Sequence, residues 1–115
     1  MPPMILDVVS ALADPTRLEA MRLLADGSEH CVCELMGKLG ATQSRISRHM
    51  QALKQAGLVA DRRVAQWVRY RISPELPPAH VRLVEAALER PIMVTEQAAW
   101  RPSSAPSPSR ARPRR

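Results

Sequence analysis

The sequence predicts a mainly α-helical domain with one small β-hairpin, in the order helix-helix-helix-helix-strand-strand-helix. Three observations lead there. Apolar residues recur at three- and four-residue intervals through the first half of the chain, the period of a helix with one buried face. Between Leu58 and Ile72 the period drops to two, the period of a strand. Turn residues punctuate the runs at Gly27, Gly40, Gly57, Ser73-Pro74 and Pro77-Pro78.

Each element has its own justification. Met4–Leu12 is a short apolar helix. Asp14-Pro15 is an N-cap followed by proline at the first helical position, and Leu18, Met21 and Leu24 then repeat at helical spacing until Gly27. Val32, Leu35, Met36 and Leu39 mark a third helix, closed by Gly40. Thr42 caps a fourth, with Ile46, Met50 and Leu53 on one stripe and Gly57 as its stop. Leu58-Val59-Ala60 reads as a strand. Trp67–Ile72 reads as a second, with Trp67, Arg69 and Arg71 on one face and Val68, Tyr70 and Ile72 on the other. Arg62–Gln66 is expected at the hairpin tip. Ala79–Glu89 is the last helix, with Val81, Val84 and Leu88 on one side.

Length and charge narrow the function. With 115 residues the chain is expected to hold one domain, residues 1–100, and no deep enzyme cleft. No apolar run is long enough to span a bilayer, and the N-terminus has no basic-then-apolar leader, so a cytoplasmic protein without membrane partners is expected. Residues 101–115 contain only Arg, Pro, Ser and Ala, and are expected to be a disordered basic tail. The formal net charge is +6, unevenly spread. Residues 1–36 carry −4, while residues 37–71 hold eight Lys and Arg against Asp61 alone, for +7. A basic central block of this kind suits a polyanion.

The block coincides with a helix, a tight turn at Leu39-Gly40-Ala41 and a second helix, the helix-turn-helix arrangement, followed at once by the hairpin as a wing. With Ile46, Met50 and Leu53 facing the core, Thr42, Gln43, Ser44, Ser47, Arg48 and Gln51 are available to DNA: short polar and amide groups for base edges, and an arginine for guanine or phosphate. Lys38, Arg45 and Lys54 at the edges suit phosphates, as do Arg62, Arg63 and Arg69 on the wing. His49 lies near the core stripe, where it packs or touches phosphate. An ordinary solvated charged helix would also carry such residues, but charge, turn and hairpin agree on DNA.

These residues also carry a resemblance. Asp14-Pro15-Thr16-Arg17-Leu18, Cys31-Val32-Cys33-Glu34-Leu35, Gln43-Ser44-Arg45-Ile46-Ser47-Arg48-His49-Met50, Ala56-Gly57-Leu58-Val59 and Trp67–Pro74, in that order and spacing, resemble the ArsR/SmtB family of bacterial winged-helix repressors. The resemblance covers about residues 5–90 and is nearest to the arsenical-sensing branch, with its Cys-Val-Cys motif at the start of the third helix. It implies a homodimer formed by the first and last helices, an imperfect palindromic operator bound without any cofactor, and release by an effector.

Cys31 and Cys33 are the candidate effector ligands. On a regular helix they would point about 200° apart, so a shared ion requires a frayed first turn or an extended segment. A helix N-terminus favours the thiolate, and thiolates select soft ions. Trivalent arsenicals, As(III) or methylarsenite, or Sb(III) are therefore the expected effectors. Relatives often carry a third cysteine where this chain has Met36, so His30 is the candidate third ligand, beside hydroxide or an external thiol. Three alternatives remain at this point: a Zn- or Hg-responsive repressor, a thiol-redox repressor, and a constitutive DNA-binding protein with inert cysteines. A direct Cys31–Cys33 disulfide is expected to be strained. No nucleophile–base pair, phosphate-binding glycine loop or carboxylate dyad suggests an enzyme.

Overall fold

The computed structural model describes residues 4–93. The tail at residues 101–115 and the end of the expected domain lie outside that range. The elements are α1 (Ile5–Leu12), α2 (Pro15–Leu24), β1 (His30–Cys31), α3 (Val32–Leu39), α4 (Gln43–Gln55), β2 (Val59–Val64), β3 (Trp67–Ile72) and α5 (Pro78–Leu88). The five expected helices and both hairpin strands are present, and β1 is an addition. The sheet is antiparallel with order β1-β3-β2, so β3 is its centre.

Local chemistry sets the boundaries. The Asp14 carboxylate accepts hydrogen bonds from the Thr16 and Arg17 amides at 2.8 and 3.1 Å, and the Arg17 bond in particular holds its carboxyl below the usual range. That carboxylate satisfies amides that the first turn of α2 leaves without helical partners. Gly40 takes φ +64° at the end of α3, a left-handed conformation that turns the chain toward α4. The Thr42 hydroxyl caps α4 by accepting from the Arg45 amide at 3.3 Å.

The core forms where the helical stripes meet β2 and β3. Val8 and Leu12 of α1, Met21 and Leu24 of α2, Leu35 of α3, and Ile46, Met50 and Leu53 of α4 join Leu58, Tyr70, Ile72, Val84 and Leu88. The chain has no phenylalanine, so branched aliphatics and methionine fill this volume. The packed face of α5 differs slightly from expectation: His80, Val84 and Leu88 are buried, while Val81 is half-buried.

One expectation about the hairpin is corrected. Arg62 and Arg63 do not lie at its tip, because β2 continues to Val64 and the turn is only Ala65-Gln66, with Ala65 at φ +56°. Arg71 shares a face with Trp67 and Arg69, yet it is 1% exposed whereas Trp67 is 38% exposed. Arg71 lies at the end of β3 that carries the buried Tyr70 and Ile72, in a strand against which α2 and α3 pack, whereas Trp67 begins the strand beside the exposed turn.

Candidate nucleic-acid interface and cysteine pair

Helices α3 and α4 pack together through Leu35 and the Ile46–Met50–Leu53 stripe, with Gly40 between them. That packing turns the opposite face of α4 outward. Gln43, Ser44, Arg45, Arg48 and Gln51 are exposed, Ser47 is half-buried, and Thr42 and Lys38 are exposed beside them. The expected polar surface is therefore assembled on one helix and its approach.

The cations divide into two groups. Lys54 extends to Asp61, with its Nζ 3.1 and 3.2 Å from the two carboxylate oxygens, and Asp61 is buried. Arg62 donates from Nε and Nη2 to Glu29 at 3.0–3.1 Å, a two-pronged pair. Both were expected at phosphates, and both are engaged within the molecule. Among the described residues, Lys38, Arg45, Arg48, Arg63 and Arg69 have no carboxylate partner. These five carry the uncompensated positive charge of the surface.

Further partners tie α4 to the rest of the fold. His49 accepts at Nδ1 from Arg17 Nε at 3.1 Å, which fixes the helix to α2. Gln51 lies on the exposed face of α4, on the side of the buried Tyr70 phenol of β3. Burial raises the Tyr70 pKa, Gln51 pulls it down, and the Asp61 charge raises it further. Sequence reasoning missed Glu29, Asp61, Arg17 and Tyr70 as structural partners of the surface. Asp61 had one signal, as the single acid in a block of eight cations.

Cys31 and Cys33 sit at the junction of β1 and α3. Cys31 is the residue before the helix, extended at φ −80° and ψ 157°, and Cys33 is in its first turn. The extended residue removes the 200° divergence of a regular helix, and the Cα atoms lie 5.3 Å apart. The two residues are joined as a disulfide, and this Cα separation lies within the ordinary range for such a bond. Cys31 is buried and Cys33 is exposed. In the sheet, Cys31 is paired with Arg69 and His30 with Tyr70, so the cysteine pair is attached directly to the wing.

His30 is buried, with both ring nitrogens engaged. Nδ1 is 2.8 Å from Glu34, and Nε2 is 3.1 Å from Asp26 and from the Ser28 hydroxyl. Burial disfavours its charge, but Glu34 and Asp26 together outweigh that and raise its pKa. Among the described residues, no group of three or more His, Cys, Asp and Glu side chains is arranged to hold a metal ion. No helix among them is long and apolar enough to cross a membrane.

Known proteins share this arrangement. The family model for bacterial regulatory proteins of the arsR family matches residues 14–61. The arsenic resistance transcriptional regulator ArsR2 of Pseudomonas putida is 51% identical over 71 residues, which are 62% of each chain. The arsenical resistance operon repressor of Escherichia coli is 42% identical over 76 residues, 66% of this chain and 65% of that one. The matched segment thus spans slightly less than two thirds of both relatives. Among solved structures, the homodimeric winged helix-turn-helix DNA-binding domain of a Mycobacterium bovis protein, a possible ArsR-family transcriptional regulator, superposes with a TM-score of 0.61. It is 32% identical and covers 72% of this chain and 73% of that chain. The AntR antimony-specific transcriptional repressor gives a TM-score of 0.61 at 26% identity, covering 73% of each chain. With its helix-turn-helix, its wing and these relatives, the chain belongs to the arsR family of bacterial regulatory proteins.

Proposed function

We propose that this chain is a metalloid-responsive transcriptional repressor. As a dimer without effector it holds a palindromic operator, with one α4 in each of two major-groove half-sites. A trivalent arsenical or antimonite releases it by engaging Cys31 and Cys33. The observation that carries this reading is the position of the cysteine pair, at the start of the helix that supports α4. The relatives named for arsenic resistance and the antimony-specific neighbour support the same effector class.

The residues account for the steps. The Gln43–Arg48 face reads bases, while Lys38, Arg45, Arg63 and Arg69 hold phosphates. Exposed Met4 at the N-cap of α1 and Ile5, Leu6 and Val9 on it, a helix that touches α5, supply an apolar face for the second subunit. Ligation requires the reduced pair: each thiol proton leaves with an arsenic-bound hydroxide as water while an As–S bond replaces the As–O bond. The third position keeps the methyl group of methylarsenite or, for arsenite, a hydroxide that an external thiol can exchange. Cys31 is on the strand paired with the wing and Cys33 is on the support helix. Changing the distance between their sulfurs therefore loads both DNA-contacting elements. Release follows only if the DNA-bound shape has the lower affinity for the effector.

The disulfide favours a second reading, gating by thiol oxidation. Fluorescence anisotropy on the DNA upstream of its own coding sequence separates the two. Reduced protein should release the duplex on addition of arsenite or methylarsenite, and Cys33→Ser should not. Release by an oxidant with no response to either arsenical would replace the metalloid reading with the redox one. Binding indifferent to both would leave a constitutive DNA-binding protein.

A further inference from the structure

Gly37 stands inside α3, where glycine is the least favourable residue after proline. Its backbone does not call for glycine: Gly27, Gly40 and Gly57 take positive φ, and Gly37 does not. Packing does not call for it either. The position is exposed, and a Cβ there would meet no heavy atom within 4 Å beyond its chain neighbours and its own helix backbone. What the missing side chain uncovers is Cys33. Residues four apart share one helix face, and a helical side chain lies over the turn N-terminal to its own Cα. A branched side chain at position 37 would therefore stand over Cys33, which is exposed. We propose that the open face at Gly37 receives the organic substituent of a monosubstituted trivalent arsenical held by Cys31 and Cys33, and that Gly37 sets the substituent size this chain accepts. This inference rests on the dithiol reading above and deepens it.

The surroundings of the pair identify the occupant. Cys31 is buried and held in the sheet opposite Arg69. His30 is buried with both ring nitrogens engaged, and Glu34 is turned to it. Met36, three residues after Cys33, is half-buried against the core. Among the described residues, the exposed face of α3 over Gly37 is the side these contacts leave for the third substituent on arsenic. The chemistry makes that substituent permanent. Two thiols and a dihydroxy arsenical form two As–S bonds in place of two As–O bonds, and two waters leave. Arsenic stays trivalent and its carbon–arsenic bond is untouched, so the organic group must be housed wherever the pair holds it. Arsenite leaves only a hydroxyl there, which needs little room. The open face therefore matters for an alkyl or aryl group and not for the inorganic ion.

The test compares a small and a bulky arsenical on the full, reduced chain. Arsenite and phenylarsine oxide, which hydrates to the dihydroxy form, are titrated into the protein bound to the duplex upstream of its own coding sequence. Anisotropy gives the half-release concentration, and a free-thiol count shows the loss of two thiols per chain. The unmodified chain should respond to both. Gly37→Ile places a branch that is stiff at χ1 and cannot swing aside. It should raise the half-release concentration of phenylarsine oxide about tenfold and move that of arsenite less than about twofold, the discrimination that one misplaced branch gives. Circular dichroism reports folding, and Gly37→Leu, a stronger helix former, repeats the test if the isoleucine variant does not fold. Equal shifts for both arsenicals, or none, would overturn the role of Gly37 and leave the dithiol reading standing. So would an unmodified chain released by arsenite and not by phenylarsine oxide. Weaker DNA binding by the variant without effector would assign the glycine to duplex approach and overturn the proposal as well. An unmodified chain that keeps both thiols and its DNA in excess of either arsenical would overturn the dithiol reading, and this inference with it.

Discussion

Lys54→Met separates two roles for one ammonium group. By sequence Lys54 belongs to the basic block that faces phosphates, but in the fold it lies 3.1–3.2 Å from both oxygens of Asp61. The Asp61 side chain is 8% exposed and that of Lys54 is 24% exposed, so the pair is largely removed from water. Removing one member of a fully buried pair costs roughly 3–5 kcal/mol, and the partial exposure of Lys54 reduces this to about 2 kcal/mol. Methionine keeps most of the alkyl stem, so the loss reflects charge rather than packing. For a domain of this size about 2 kcal/mol lowers Tm by roughly 10 °C. Urea denaturation at fixed protein concentration measures the stability, since dimerisation would make it concentration-dependent. Anisotropy over a salt series measures phosphate contacts: each one lost makes the slope shallower by about 0.9. The expected result is a large fall in stability with no change in slope. A slope shallower by about one with unchanged stability would refute the argument and return Lys54 to the DNA surface. The double variant Lys54→Met/Asp61→Leu should recover much of the loss, because the carboxylate that Lys54 neutralises is then removed as well.

Other outcomes follow from single features. Gly37 lies inside α3 with open space where a Cβ would stand, so Gly37→Ala should stabilise the protein by about 0.8 kcal/mol, read as a raised Tm. Ala65 at φ +56° bears left-handed strain, so Ala65→Gly should also stabilise, by about 0.5–1 kcal/mol net of its entropy cost; a lowered urea midpoint would contradict this. His30 has a raised pKa in the folded state, so its charged form stabilises the fold. That contribution is complete below its unfolded pKa of about 6.5 and is lost as pH rises through the higher folded value. Stability should therefore decline from mildly acidic to mildly alkaline pH, and His30→Gln should flatten the decline. Asp26, for which burial is outweighed by bonds from the Ser28 amide and His30, has a lowered pKa. Its contribution is present above its ordinary value and is lost on acidification, so Asp26→Asn should narrow the acid limb of the stability profile.

Much of the fold was legible in the chain because it is decided locally. Asp14-Pro15 starts α2 and Gly40 stops α3 through backbone geometry within a few residues, and the spacing of Ile46, Met50 and Leu53 sets which face of α4 is buried. A two-residue strand such as β1 has no period to read. It exists because β3 is available to pair with His30 and Cys31, nearly forty residues earlier in the sequence. That pairing also decides the cysteines: with Cys31 extended rather than helical, two side chains that a helix would send apart converge.

The sequence by itself determined the winged helix-turn-helix, the polar face of α4 and the family. Helical and strand periods, caps and composition are properties of neighbouring residues. Tertiary structure decided which cations remain for a partner. Arg62 reaches Glu29 thirty-three residues away, and Lys54 reaches Asp61 across the turn from helix to strand. The chain declares how many charges it carries. Only folding brings opposite charges within Coulombic reach, and so fixes Lys38, Arg45, Arg48, Arg63 and Arg69 as the ones left over among the described residues of this surface.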